Sequence, residues 1–243
     1  MTTILCVDDD PYLTDLLCYG FEREGFAVVT AHTGREGVRR AHTESVDLVL
    51  LDVSLPDIDG FTVLAALRSR QRVLAVPVIM LTARHLEQDV ISSLERGADD
   101  YVTKPFSMQV LVTRVKAVLR RATTPPVEAV AAAVEDTAQH TYQVAGARLD
   151  ADAHALTTPE GTQVWLTPTE SRILQLLAAH TGHVFSSERI IESIGGYTRD
   201  SDVNVIKTHI RHLREKLAQL PGSPQPIRTQ PGAGYVLSSS GRL

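Results

Sequence analysis

Apolar and polar positions follow two different periods along the first half of the chain. Runs at Thr3 to Val7, Ala27 to Thr30, Leu48 to Leu51, Pro77 to Leu81 and Asp100 to Val102 are short and rich in apolar residues, the pattern of strands buried on both faces. Between them, the spans 11–24, 34–43, 61–70, 87–96 and 107–121 carry the three-and-four spacing of amphipathic helices. Strand and helix in alternation predict a parallel sheet with right-handed crossovers and helices on both faces, a (βα)5 unit. Ligands of such sheets bind beyond the carboxyl ends of the strands, where strand order reverses.

The second half has another rhythm. In QVWLTPTESRILQLLAAH, Thr167 precedes Pro168 and stands three residues before Glu170, which predicts a capping box with proline at the first helical position. Ile173, Leu174, Leu176 and Leu177 form that helix's buried side. A second helix is expected from Ser187 and a third over about Ser201 to Leu217. In the third, Val203, Ile206, Ile210, Leu213 and Leu217 recur at steps of three and four, a core-facing stripe. The opposite face centres on Asn204, Thr208, Arg211, His212 and Glu215, with Lys207 and Arg214 on one shoulder. PIRTQPGAGYVL then predicts a strand pair around a Gly-rich turn.

The stretch TTPPVEAVAAAVEDTAQHT, residues 123 to 141, holds two prolines and no cations, the composition of a linker. The expected organisation is thus one domain over 1–121, a linker over 122–141, a second domain over 142–237 and a tail over 238–243. At 243 residues, the chain is long enough for two ordinary cores. Charge separates the parts: 14 Lys and Arg face 17 Asp and Glu in 1–121, none face three in 122–141, and ten face nine in 142–243. The cations of the last part are concentrated, six of them falling between Arg199 and Arg228. Different partners for the two halves follow.

The longest apolar stretch, Val73 to Leu81, is broken by Pro77 and too short to span a bilayer, and MTTILCVDDD has no leader pattern. A cytoplasmic protein without a membrane partner is expected. Cys6 and Cys18 read as small buried hydrophobes.

Candidate chemistry collects at one sheet edge. The first strand runs into Asp8, Asp9 and Asp10, the third into Asp52, the fourth into Thr82 and the fifth into Lys104. Carboxylates packed together raise one another's pKa unless a cation accepts them all. Magnesium fits: it prefers oxygen ligands, takes one or two carboxylates plus waters and serves phosphate chemistry. Asp52 is then the nucleophile of a phosphoryl transfer and Asp9, aided by Asp8, holds the metal. Thr82 and Lys104 are placed to meet phosphoryl oxygens. Asp10 before Pro11 reads only as a helix cap.

The segments VDDD, LLDVSLPDIDG, MLTA and GADDYVTKPF resemble the flavodoxin-like receiver domain of two-component response regulators, over the whole of 1–121. The resemblance implies that Asp52 accepts a phosphoryl group from a sensor histidine kinase, with Mg2+ (or Mn2+) held by Asp8, Asp9, Asp52 and the Ser54 carbonyl. It further implies a cis Lys104-Pro105 bond, Tyr101 as an aromatic switch coupled to Thr82, and self-phosphorylation and slow self-dephosphorylation as the sole catalysis. LTPTE, VFSSE, THIRHLREKL, IRT and GAGY resemble the α+β winged helix-turn-helix effector of the OmpR/PhoB family, over about 142–237 and beginning with a small sheet.

That second likeness implies double-stranded promoter DNA as ligand, RNA polymerase as a further partner, and a homodimer when phosphorylated. His209, Arg211, Arg214 and Thr229 would meet phosphates, Thr208 and His212 would face bases, and Asn204 and Lys207 complete the DNA face. The dimer would use the fourth helix, fifth strand and fifth helix, with Asp99, Asp100, Arg114 and Arg121 in salt bridges. Val90 and Val110 stand where the family has a Lys and Glu pair, so an apolar contact between protomers is expected. Pro231 replaces a wing arginine, Gly195 replaces a loop tryptophan, and His212 replaces an arginine.

Two rival readings remain at this level. An aspartyl-phosphate phosphatase of the haloacid dehalogenase type would use Asp8 and Asp10, leaving Asp52 and the second half without a role. Alternatively, the winged helix binds protein rather than DNA.

Overall fold

The structure is a computed structural model that describes residues 1–69, 76–83, 97–123, 141–194, 203–220 and 225–238, the side chains of 83, 121, 123, 203 and 204 excepted. The expected helix over 87–96, Val90, Gly195 and most of the linker lie outside the described residues, as do the side chains of Arg121 and Asn204. The chain divides into two compact units, Met1–Leu119 and Arg120–Leu243.

The first unit alternates β1 (Thr3–Val7), α1 (Pro11–Arg23), β2 (Ala27–Ala31), α2 (Gly34–Thr43), β3 (Leu48–Asp52), α3 (Gly60–Arg68), β4 (Val78–Ala83) and β5 (Asp100–Lys104), and ends within α4 (Met108–Thr123). Its strands form one parallel sheet in the order β2-β1-β3-β4-β5. Strand side chains alternate between two cores. Leu5, Val7, Val49, Leu51 and Met80 pack with Val63, Leu64 and Leu67 of α3. Ile4, Cys6, Leu48, Leu50, Ile79 and Leu81 pack with Leu17 and Phe21 of α1 and with Leu111, Val115 and Val118 of α4. Period-two alternation with apolar residues on both faces is what a sheet covered on both sides requires.

The helices start where the sequence supplies acceptors. Asp10 takes the amides of Tyr12 and Leu13 at the head of α1, with Pro11 next to it. Thr33 caps α2, and Asp59 caps α3 by accepting from Thr62 N at 2.8 Å. Each such cap stabilises a helix by about 1 kcal/mol. The ladder between β4 and β5 continues to Thr82↔Thr103 and Ala83↔Lys104, so Thr82 and Lys104 lie on strands rather than in the loops after them.

The second unit opens with four antiparallel strands, β6 (Thr141–Val144), β7 (Ala147–Asp150), β8 (Ala155–Thr157) and β9 (Gln163–Trp165). Three helices follow, α5 (Pro168–Ala179), α6 (Ser187–Ile194) and α7 (Val203–Leu217), and then the hairpin of β10 (Ile227–Gln230) and β11 (Gly234–Leu237). Phe185, just before α6, forms an antiparallel bridge with Tyr235 of β11. The Thr167 and Glu170 capping box is present. Ile206, Ile210, Leu213 and Leu217 of α7 enter one core with Ile173, Leu177 and Ile190. Among the described residues, no helix is long and apolar enough to cross a membrane.

Candidate functional site

Strand order reverses between β1 and β3, and the carboxyl ends of these two strands carry the acids. Ligand oxygens of Asp8, Asp9 and Asp52 all lie within 4.8 Å of one another. Asp8 and Asp52 are buried, 1% and 6% exposed, whereas Asp9 faces solvent. Lys104, at the end of β5, reaches between the two buried acids: its Nζ is 2.7 Å from Asp8 Oδ2 and 2.8 Å from Asp52 Oδ1. The peptide bond from Lys104 to Pro105 is cis.

One ammonium cannot neutralise three carboxylates. Burial pushes the Asp52 carboxyl above the usual aspartate range, with Asp8 adding to the rise, although the Lys104 bond and the Ser54 amide at 3.1 Å both oppose it. For Lys104, burial works against the charged form, and the bonds to Asp52 and Asp8 more than offset it, leaving its pKa raised. The site thus holds surplus negative charge, oxygen donors and one solvent-facing acid. That donor set fits a hard divalent cation such as Mg2+, with Asp8, Asp9 and Asp52 as its carboxylates.

The loop between β3 and α3 is held close to this pocket. Gly60 N donates to Val53 O at 2.8 Å, and a Cβ on Gly60 would sit 2.2 Å from the Asp52 carbonyl oxygen. Only glycine allows α3 to start that near the acidic strand end. Asp57 accepts from Gly34 N at 2.7 Å and Arg35 N at 3.0 Å, an attachment to α2 of which the only sign in the sequence is a Pro-Asp turn. Thr82 is buried beside the pocket, and Tyr101, two residues back along the ladder, is half-buried against the α3-side core.

Three of the expected interface residues have partners within the chain. Asp99 is 0% exposed, paired with Arg68 at 2.9 Å, and accepts from Val78 N. Asp100 is also 0% exposed, and Arg114 Nη1 donates to both of its carboxylate oxygens at 3.1 Å. Within the single chain, Asp99 thus pairs with Arg68 and Asp100 with Arg114. Val110, by contrast, is 49% exposed. Sequence reasoning also passed over Tyr12, Leu16 and Tyr19 of α1, which are exposed at 85%, 57% and 62% and form one stripe at helical spacing directly after the acidic cluster.

On α7 of the second unit, Lys207 and Arg211 are exposed and Thr208 is partly exposed. His209 and His212 correct the expectation that they face a ligand: they are 0% and 6% exposed. Two sides of α7 are packed, so Val205, His209 and His212 form a second interior stripe beside the one through Ile206, Ile210, Leu213 and Leu217. His212 Nδ1 lies 3.7 Å from Glu170 Oε1, and Lys216 pairs with the other oxygen of the same buried acid. Burial lowers the His212 pKa, with Glu170 opposing. Arg214 donates to Ile227 O at 3.1 Å and Thr229 Oγ1 at 2.7 Å, joining α7 to the hairpin. A groove between the head of α6 and that hairpin is lined by Ser186, Ser187, Lys207, Thr229 and Gln230.

Residues 4–116 match the response regulator receiver domain, and residues 161–237 match the C-terminal domain of transcriptional regulatory proteins. The chain is 38% identical over 234 residues to the alkaline phosphatase synthesis transcriptional regulatory protein PhoP of Bacillus subtilis, covering 96% of this chain and 95% of that one. It is also 38% identical over 240 residues to the DNA-binding dual master transcriptional regulator RpaA of Synechocystis sp., covering 99% of this chain and 96% of the relative. A solved structure of a RitR mutant shares the fold, with a TM-score of 0.77 at 24% identity over 98% of this chain and 99% of that one. The chain belongs to the OmpR/PhoB family of two-component response regulators.

Proposed function

We propose that the chain is a phosphorylation-dependent transcriptional regulator whose Asp52 accepts a phosphoryl group from a sensor histidine kinase. A carboxylate oxygen of Asp52 attacks phosphorus, the bond to the kinase imidazole nitrogen breaks, and that nitrogen keeps the electron pair and takes a proton. Asp8, Asp9, Asp52 and the Ser54 carbonyl would hold Mg2+, or Mn2+ in its place, which would supply charge neutralisation for the transferring group. Lys104 exchanges its Asp52 partner for a phosphoryl oxygen while keeping Asp8. Thr82 donates its hydroxyl to a second oxygen, and Tyr101 follows Thr82 inward. The stripe of Tyr12, Leu16 and Tyr19, which follows the acidic cluster on α1, is the face on which the kinase docks.

Phosphorylation then favours a symmetric dimer that includes Val110 and, outside what the structure describes, Val90 and the Arg121 side chain. Lys207, Thr208 and Arg211, with Asn204 and Thr229, meet double-stranded promoter DNA, cations at phosphates and polar groups at base edges. Two linked effectors bind direct half-site repeats more tightly than one through effective concentration. RNA polymerase is a further partner. No reaction beyond gain and slow loss of the Asp52 phosphoryl group is assigned.

The observation that carries this reading is Lys104 bridging Asp8 and Asp52 at the strand-order reversal. Acetyl phosphate and Mg2+ should add one phosphoryl mass to the chain, located at Asp52 and absent in Asp52→Asn, and should raise affinity for promoter fragments. An unchanged mass, or addition elsewhere, would overturn it.

A further inference from the structure

We infer that Asp57 is a positioning residue for the metal: it ties the loop bearing the Ser54 carbonyl to the head of α2. The inference deepens the metal role proposed for Ser54 and rests on it.

The loop from Val53 to Asp59 is fixed at its two ends by the sheet and by α3. Val53 N donates to Leu81 O at 3.1 Å, Ser54 N donates to Asp52 Oδ2 at 3.1 Å, and Gly60 N donates back to Val53 O. Between these points the chain leaves the sheet, and Asp57 bonds it to the head of α2. Its two oxygens are used separately, Oδ1 by Gly34 N at 2.7 Å and Oδ2 by Arg35 N at 3.0 Å. Those amides are otherwise surplus donors of the first turn of α2. Desolvation works to raise the Asp57 pKa, and the bonds from Arg35 and Gly34 more than offset it, holding the carboxyl below the usual aspartate range.

Packing closes the same seam. A Cβ on Gly34 would lie 2.6 Å from Ile58 Cγ1 and 3.0 Å from the Ile58 carbonyl oxygen, so helix and loop touch at backbone distance. Leu55 and Ile58 add apolar contact with the core under α2 and α3. The Ser54 carbonyl sits three residues from this anchor, and a metal ligand that is a backbone oxygen can be aimed only by holding its backbone. Thr33, the other cap of α2, accepts from Glu36 N. Its removal therefore separates stability of α2 from attachment of the loop.

The test uses the full chain, with Mn2+ as probe and its free paramagnetic resonance signal as readout. Asp57→Ala should weaken Mn2+ binding about ten-fold, the scale on which groups behind metal ligands act. Asp57→Asn, which keeps one acceptor oxygen for Gly34 N, should recover part of the loss. Thr33→Ala should lower the melting temperature and leave Mn2+ affinity within about two-fold. The inference is overturned if folded Asp57→Ala binds Mn2+ like the parent, or if Thr33→Ala weakens binding as much as Asp57→Ala. If the parent chain binds no Mn2+, or Asp9→Ala binds it equally well, the metal reading itself fails.

Discussion

Arg214 Nη2 donates to Thr229 Oγ1 at 2.7 Å, so the helix that presents Lys207, Thr208 and Arg211 is bonded to the hairpin beside it. The same guanidinium holds Ile227 O through Nε. A cation engaged this way acts on DNA by fixing the angle between two elements. Arg214→Ala should lower promoter affinity several-fold and leave the dependence on salt nearly unchanged. Lys207→Ala should instead reduce the slope of log affinity against log salt by about one. Filter binding across a salt series distinguishes the two, and a slope change in Arg214→Ala would assign it to a phosphate.

Lys104→Ala would leave Asp8 and Asp52 together without their shared cation. Loss of charged hydrogen bonds at a partly open site should destabilise the metal-free protein by about 2 kcal/mol. Excess Mg2+ should shrink that gap, because the ion replaces the missing ammonium and binding to the native state stabilises it. Urea unfolding with and without Mg2+ checks this. An equal deficit in both conditions would contradict the sharing of one cation by two acids.

Asp52 carries a raised pKa, caused first by burial. A carboxyl shifted upward contributes stability that is present below its unfolded pKa and lost as pH rises through the folded value. At neutral pH, its ionised form therefore costs stability. Asp52→Asn should melt above the parent at pH 7 without metal, and the difference should shrink as pH falls through the folded pKa and vanish below the unfolded value of ~3.9, where both states hold the proton. Melting curves across that range suffice, and a variant less stable at pH 7 would refute the sign.

Val110 is half-exposed on α4 and apolar. If it meets a second protomer, Val110→Glu should weaken the phosphorylated dimer by about ten-fold and leave Asp52 phosphorylation intact. Sedimentation of the phosphorylated chain reads the first, and mass the second. An undisturbed dimer would remove Val110 from the interface.

The pocket is legible in the sequence because its residues are placed by strand ends, and strand ends are visible in apolar runs. Asp8, Asp9, Asp52, Thr82 and Lys104 come to one edge from alternation alone, before any distance is known. His209 and His212 do not yield to the same reasoning. A helical wheel assigns one buried stripe, while α7 has two, and the second is polar because Glu170 of α5 stands opposite His212. Nothing within α7 announces that partner. Asp99 and Asp100 likewise give no sign in the sequence of the arginines beside them, because Arg68 and Arg114 reach them only through the fold. Asp57 looks like part of a turn, since the use of its acceptors depends on where the head of α2 lies.

The bridge between Phe185 and Tyr235 also bears on how the second unit opens. A Cβ on Gly234 would lie 2.0 Å from the Phe185 carbonyl oxygen, and Phe185 and Tyr235 exchange both of their backbone hydrogen bonds at 2.8 Å. The strand after the tip of the hairpin is thereby laced to the segment entering α6. The amide protons of Phe185 and Tyr235 should consequently show one common opening free energy in hydrogen exchange, as members of a single cooperative opening unit.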